Sequence, residues 1–483
     1  MPNLAMPGNS RYQPKSLEPY FGHDNLARFI VEVELAVMKT LGRLEVILPR
    51  DFRLLTPEVE KELLAIPMSE MDRVERTETE YGRPTRHDIR ALVRIMQAKL
   101  PPPLRRWVHV PLTSYDALDT ARMLMYVRAH KKVVQPKTEE LLQAFIAQVR
   151  RYAATPQIGR THGQHALPIT VGFWLATILS RVNYGKEWMR LTVDGLMGKI
   201  SGAVGAYNAQ EGLGIYQPFE GKTFEAMVLE RLGLVPAPIS TQILPPEPLA
   251  HYLFTGVLTS GALAQFGRDS RHLMRTEIGE LMEPFEKGQV GSSTMAHKRN
   301  PLNFENTDGM FISNKNMFMN VFDTLISEHQ RDLVGSSVTR DFPAIVVRLI
   351  YQLETLLRAG AKDPRPFVER LTIDEEACNR NLTLQGDAVL AEPFYLMLQH
   401  AGYPGDAHAL VNEQAMPLAK QHRISLFEAI TRVLAAADKD VATAVGNWPS
   451  KVTEAFARPV DYVGKAQKKA LEIADQVEGQ LST

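Results

Sequence analysis

Five short polar stretches carry the residues able to do chemistry. TRHDIR (85–90) groups Arg86, His87 and Asp88 at the start of an apolar-periodic run. VHVPLTSYDALDTAR (108–122) sets Thr113 and Ser114 ahead of another. GRTHGQHALPIT (159–170) crowds Arg160, Thr161, His162, Gln164 and His165 between Gly159 and Pro168. GSSTMAHKRNP (291–301) supplies Ser292, Ser293, Lys298 and Asn300, and SEHQRDLVGSSVTR (327–340) supplies Arg331, Ser336 and Arg340. Histidines titrate near neutrality and suit proton transfer. Arginine forks match phosphate and carboxylate, and helix N-termini offer free N–H groups to anions.

Each stretch also has a plainer reading. Helix capping alone accounts for Thr113 or Ser114. A structural or exposed side chain accounts for a loop histidine, and a solvated helix face accounts for Arg331 and Arg340. Some chemistries are excluded. No acidic or thiol ligand set accompanies His162 and His165, so zinc is not expected. No G-x-S-x-G surrounds Ser292, so Ser–His–Asp hydrolysis is not expected. GLMGKISGAVG (195–205) lacks phosphate-loop spacing, because Val193 occupies the first glycine position. A tight bend between helices is expected there.

The elements that must position these stretches read as helices. ARFIVEVELAVMKTLGRL (27–44), PEVEKELLAI (57–66) and HDIRALVRIMQAKL (87–100) are amphipathic. Residues 112–135, 169–217, 249–283 and 302–342 each run without proline. Over 249–283, apolar residues recur at three- and four-residue spacings, which predicts a helix of up to roughly 50 Å at about 1.5 Å per residue. Several such helices suggest a long bundle. Period-two alternation is not sustained anywhere. The expected fold class is all-α, with three helical domains: an N-terminal one over 1–112, a central long-helix bundle with the polar loops over 113–364, and a C-terminal one over 365–483.

Composition narrows the function classes. The 483 residues carry 55 Lys plus Arg against 55 Asp plus Glu, so the formal charge is zero. That argues against a nucleic-acid-binding surface but leaves room for a local cationic pocket. The single cysteine, Cys378, excludes an intrachain disulfide and a cysteine metal cluster, and reads as a small buried hydrophobe. The N-terminus lacks a secretory apolar core. The longest apolar runs, such as FWLATIL (173–179), fall far short of a membrane span. A soluble cytoplasmic protein is expected.

Taken together, the polar stretches resemble the fumarase/aspartase superfamily of helical lyases, and within it the adenylosuccinate lyase family. GSSTMAHKRNP resembles the superfamily's G-S-S-x-M-P-x-K-x-N-P loop. GRTHGQHALPIT and TSYDALDTA resemble its two other signature blocks. Arg11–Tyr12, RHD at 86–88, STQ at 240–242, QRDLVGSSVTR and RPVDYVGKA (458–466) resemble the narrower family's own elements. Three positions depart from the pattern: Pro111 for a glycine, Ala296 for a proline, and Gly335 for an acidic residue.

The resemblance implies β-elimination of fumarate from adenylosuccinate, giving AMP, and from SAICAR, giving AICAR, in purine nucleotide biosynthesis. It implies Ser292 as general base and His162 as general acid, with His87 the competing candidate. Lys298 and Asn300 would hold the carboxylate that takes up charge, and Thr161 the succinyl part. Arg11 and Tyr12 would contact the nucleotide phosphate, and Arg331, Ser336 and Arg340 the AMP part. Arg86, His87, Asp88, Thr113, Ser114, Gln242, Ser293 and Asn306 complete the implied substrate contacts. No cofactor or metal is implied. A homotetramer with sites shared between subunits is. Two alternatives stand beside this reading: a paralogous lyase or cycloisomerase acting on another succinylated amine, and a non-catalytic helical scaffold.

Overall fold

The computed structural model describes residues 12–285, 294–295, 297–448, 454 and 458–482. The principal helices are α1 (His23–Arg43), α2 (Asp88–Lys99), α3 (Ser114–Ala129), α4 (Gln135–Arg151), α5 (Val171–Val193), α6 (Glu247–Leu273), α7 (Leu302–Asp323), α8 (Pro343–Leu357), α9 (Glu375–Thr383), α10 (Ala391–His400), α11 (Leu426–Ala437) and α12 (Ala466–Leu481). Among the described residues three two-stranded sheets accompany them. An antiparallel hairpin joins β1 (Pro156–Thr161) to β2 (Gln164–Thr170); β3 (Met197–Gly198) pairs in parallel with β4 (Val235–Pro236); β5 (Leu281–Met282) pairs antiparallel with β6 (Thr372–Ile373). The fold is predominantly helical, as expected, and the hairpin is an element that the helical reading leaves out.

The proline-free stretches are longer than the helices inside them. Residues 169–217 hold one 23-residue helix, which ends at Val193. Beyond it Gly202 and Gly205 take φ of +86° and +75°, conformations that suit glycine and end regular helix. Similarly α6 stops after 27 residues at Leu273, short of the end of its stretch at 283. The helix α7 starts directly after Pro301 and runs 22 residues.

The backbone divides into two compact units. One contains the described chain up to Glu139, together with Tyr184–Ala264 and Thr307–Thr355; the other contains Glu140–Asn183, Gln265–Asn306 and the chain from Leu356. In the first, α1 is buried around most of its circumference, through Ile30, Val31, Val33, Leu35, Val37, Met38 and Leu41 among others. Long helices approach closely in this unit. Gly185 faces Thr259, and a Cβ on Gly261 would lie 3.2 Å from the Phe311 ring. Polar ties fix their register: Asn314 Nδ2 donates to the Ile345 carbonyl (3.1 Å), and Gln352 Nε2 donates to the carbonyls of Ser260 (3.2 Å) and Thr307 (2.7 Å). Left unpaired, these buried amides would each cost about 1–3 kcal/mol.

In the second unit the core gathers Ile158 of the hairpin with Leu382, Leu390, Phe394, Leu398, Ile430 and Leu434. Cys378 is buried, and burial, with the nearby Glu280 and Asp374 charges, pushes the thiol up to about 12. Among the described residues no helix is long and apolar enough to cross a membrane.

Candidate active site

In the first unit the TSYD stretch is built on a buried ion pair. Thr113 caps α3, and Asp116 at the third helical position returns the bond by accepting from Thr113 N–H at 2.7 Å. This is a capping box. Asp116 also pairs with Lys199 Nζ, both side chains fully buried, and accepts from Gly202 N–H at 3.1 Å. Thr120 Oγ1 donates to the Lys199 carbonyl at 2.9 Å, adding a second tie. The GLMGKISGAVG segment therefore does more than bend: it delivers the cation that holds the cap. Upstream, buried Glu34 of α1 accepts from His109 N–H (2.9 Å) and pairs with His109 Nδ1 (2.7 Å). Burial alone would lower the His109 pKa; the Glu34 hydrogen bond and charge outweigh it, and the net shift is upward.

His87 is the N-cap of α2, its Nδ1 accepting from Arg90 N–H at 3.4 Å. Its Nε2 lies 3.4 Å from Ser114 Oγ, which brings the RHD and TSYD stretches together. Asp88 accepts from Ile89 N–H at 2.7 Å, and Arg86 is exposed with φ +52°. Arg331 Nη1 donates to Gln242 Oε1 at 2.8 Å, and its guanidinium lies over the Tyr115 ring, 3.5 Å from the centroid. Arg331, Ser336 and Arg340 line a cavity of about 240 Å³ with Tyr115, Asp119 and Arg122 over an apolar floor that includes Phe21, Leu26 and Met123. Gly335 lines it too. Tyr12 stacks edge-on against Tyr351 at 5.2 Å. Pro111 follows a cis peptide bond.

In the second unit Thr161 ends β1, and His162 and Gly163 form the two-residue hairpin turn, with φ of +52° and +76°. Positive φ at both positions is the type I′ geometry that matches strand twist. A non-glycine residue there is uncommon, and such positions cluster at functional sites. His162 is exposed at the tip. The hairpin is anchored by Glu280, which is 1% exposed. Arg160 grips it bidentately (2.5 and 3.1 Å), and Gln157 Nε2 and Asn381 Nδ2 each donate to it at 2.8 Å. Burial first, and the Arg160 charge second, lower the His165 pKa.

Lys298 and Asn300 line a cavity of about 710 Å³ together with Arg271, Arg275, His297 and Arg299; among the described residues no carboxylate lines it. Asn306 is half-buried in α7. Glu283 caps that helix, accepting from Asn303 N–H (3.1 Å) and Phe304 N–H (3.2 Å). Burial raises the Glu283 pKa despite these bonds. Arg11, Ser292, Ser293 and Ala296 lie outside the described residues.

The sequence reading missed Asp116, Glu280, Glu283, Lys199, Tyr115 and Asp119. Only Asp116 carried a local signal, its spacing from Thr113. The others act on partners far along the chain, and a single sequence does not display such pairings.

A family model described as a lyase matches residues 68–313. Adenylosuccinate lyase from Pyrococcus horikoshii is 30% identical over 487 residues, covering 98% of each chain. The chain belongs to the adenylosuccinate lyase family of the fumarase/aspartase superfamily. This makes it a carbon–nitrogen lyase. Adenylosuccinate lyase from Bacillus subtilis is 29% identical over 450 residues, covering 92% of this chain and 95% of that protein. Among solved structures, 3-carboxy-cis,cis-muconate lactonizing enzyme from Pseudomonas putida aligns over 98% of this chain and 99% of its own with a TM-score of 0.78 and 20% identity. Fumarate lyase from Mesorhizobium sp. BNC1 aligns over 97% and 99% with a TM-score of 0.77 and 22% identity. These two share the fold.

Proposed function

We propose that this lyase cleaves the succinyl C–N bond of adenylosuccinate to AMP and fumarate, and that of SAICAR to AICAR and fumarate. One observation carries the reading: Arg331, bonded to Gln242, lines one cavity with Ser336 and Arg340, a donor set that fits the phosphate-bearing half of such a substrate. Near full-length similarity to adenylosuccinate lyases supports it.

In this mechanism Ser292, as alkoxide, takes the proton from the carbon beside the succinyl carboxylate. The resulting charge moves onto that carboxylate, held by Lys298 and Asn300. The cations Arg271, Arg275 and Arg299, which line the cavity with them, favour this charge. The C–N bond then breaks as His162 protonates the leaving nitrogen. Thr161, beside His162, holds the succinyl group. Arg11 and Tyr12 reach the phosphate, and Arg86, Asp88, Thr113, Ser293 and Asn306 complete the site. His87, bonded to Ser114, orients substrate on the nucleotide side.

A homotetramer with shared sites belongs to the same proposal. His162 sits exposed on a hairpin tip, where a general acid needs further walls to exclude water. In the first unit α5 exposes Tyr184, Trp188 and Leu191, α6 exposes Phe254 and Leu258, and α7 exposes Ile312, Met319 and Phe322. Apolar stripes at helical spacing fit burial against other copies. A cytoplasmic setting is part of the reading.

The test is a substrate comparison with the purified protein. Adenylosuccinate should be cleaved far faster than argininosuccinate or aspartate. No cleavage of adenylosuccinate, with cleavage of another succinylated amine, overturns the assignment.

A further inference from the structure

Arg331 and Gln242 satisfy each other, and both depend on one turn of α3. Tyr115 and Asp119 stand four residues apart on that helix and so share a face. Tyr115 lies beneath the guanidinium, and Arg331 Nε donates to the Asp332 carbonyl at 3.2 Å. With Nη1 on Gln242, the guanidinium is held on its face and along two of its nitrogens while still lining the cavity. Asp119 acts on the other partner. Its Oδ2 accepts from Leu244 N–H at 3.1 Å, two residues past Gln242. Gln242 N–H in turn donates to the Gln330 carbonyl at 3.4 Å, next to Arg331. The two segments therefore hold one another over a base that α3 provides.

We infer that Tyr115 and Asp119 are positioning residues for the anion-binding Arg331–Gln242 pair, Tyr115 through the face of its ring and Asp119 through the Leu244 amide. This rests on the nucleotide reading of the cavity. An unrestrained arginine has many rotamers, and ordering it on binding weakens affinity. A ring under the guanidinium and a bonded Nη1 fix it beforehand. The ring matters rather than its hydroxyl, because guanidinium–aromatic attraction acts through the π face. Any acceptor at residue 119 serves Leu244, charged or not.

Conservative and disruptive variants separate this role from a merely structural one. Tyr115→Ala should raise KM for adenylosuccinate about tenfold with kcat changed much less, the size of a partly desolvated cation–π contact. Tyr115→Phe should stay within about twofold of wild type. Tyr115→Leu fills the same space without a π face and should behave like Tyr115→Ala, which guards against a folding defect. Asp119→Ala should raise KM by about the same factor, and Asp119→Asn should restore most of it. AMP affinity by calorimetry should follow the same order without turnover. If wild type cleaves adenylosuccinate while Tyr115→Leu and Asp119→Ala keep its KM and AMP affinity, the positioning role is overturned and the functional reading stands. If wild type neither cleaves adenylosuccinate nor binds AMP, both fall. If it binds AMP without cleaving, the affinity order alone decides the positioning role.

Discussion

Replacing Lys199 by methionine keeps the length and apolar stem of the side chain and removes its charge. In the folded protein this charge meets Asp116, and both side chains are fully buried. Removing one partner of a buried pair strands the other, at a cost of about 3–5 kcal/mol. Asp116 would keep the N–H groups of Thr113 and Gly202, which argues for the lower end, about 3 kcal/mol. For a unit of a few hundred residues that is a fall in Tm of roughly 6–12 °C. Because Asp116 holds the Thr113 cap, KM should rise as well. The double variant Asp116→Asn/Lys199→Met removes both charges and should recover much of the loss, since a neutral pair carries no stranded ion. Thermal unfolding of the three variants beside wild type reads this directly. A Lys199→Met protein as stable as wild type, or a double variant no better than it, refutes the argument that the pair holds the cap.

Three further outcomes are expected. Burial holds His130 down to about 4, so the unfolded chain binds the proton more readily; stability is complete above pH 6.5 and falls by about 3 kcal/mol as pH drops toward 4, and His130→Gln should flatten that slope in pH-dependent unfolding. Gly205 combines φ +75° with a Cβ position that would clash with the Ser240 carbonyl, so Gly205→Ala should displace the segment carrying Gln242, raising KM severalfold and lowering Tm. His162→Ala should cost about 10²–10⁴-fold in kcat while leaving the protein's size in solution unchanged; near-normal kcat would transfer the general-acid role to another residue such as His87.

Local rules made much of the helical frame legible. The period of α1 and α2, the Thr113–Asp116 spacing and the stop at Pro301 each act within a few residues. The hairpin was less visible. Gly159 and Pro168 interrupt its strands, its turn places a histidine before glycine in place of the usual Asn-Gly, and its anchor, Glu280, lies 120 residues from Arg160. The same holds for Lys199, 83 residues from Asp116. The site residues were grouped through motif resemblance, because periodicity and spacing do not tell which loops meet. Within the first unit the structure joins His87 to Ser114 and Gln242 to Arg331. Those contacts turn a set of motifs into two small pieces of geometry.

The central claim is fumarate release from adenylosuccinate, with Ser292 taking the proton. Initial rates of fumarate formation from adenylosuccinate, measured side by side for wild type and Ser292→Ala, test both halves at once. The account predicts rapid release by wild type and a loss of at least about 10²-fold in the variant. No fumarate from wild type, or equal rates from the two proteins, would contradict it.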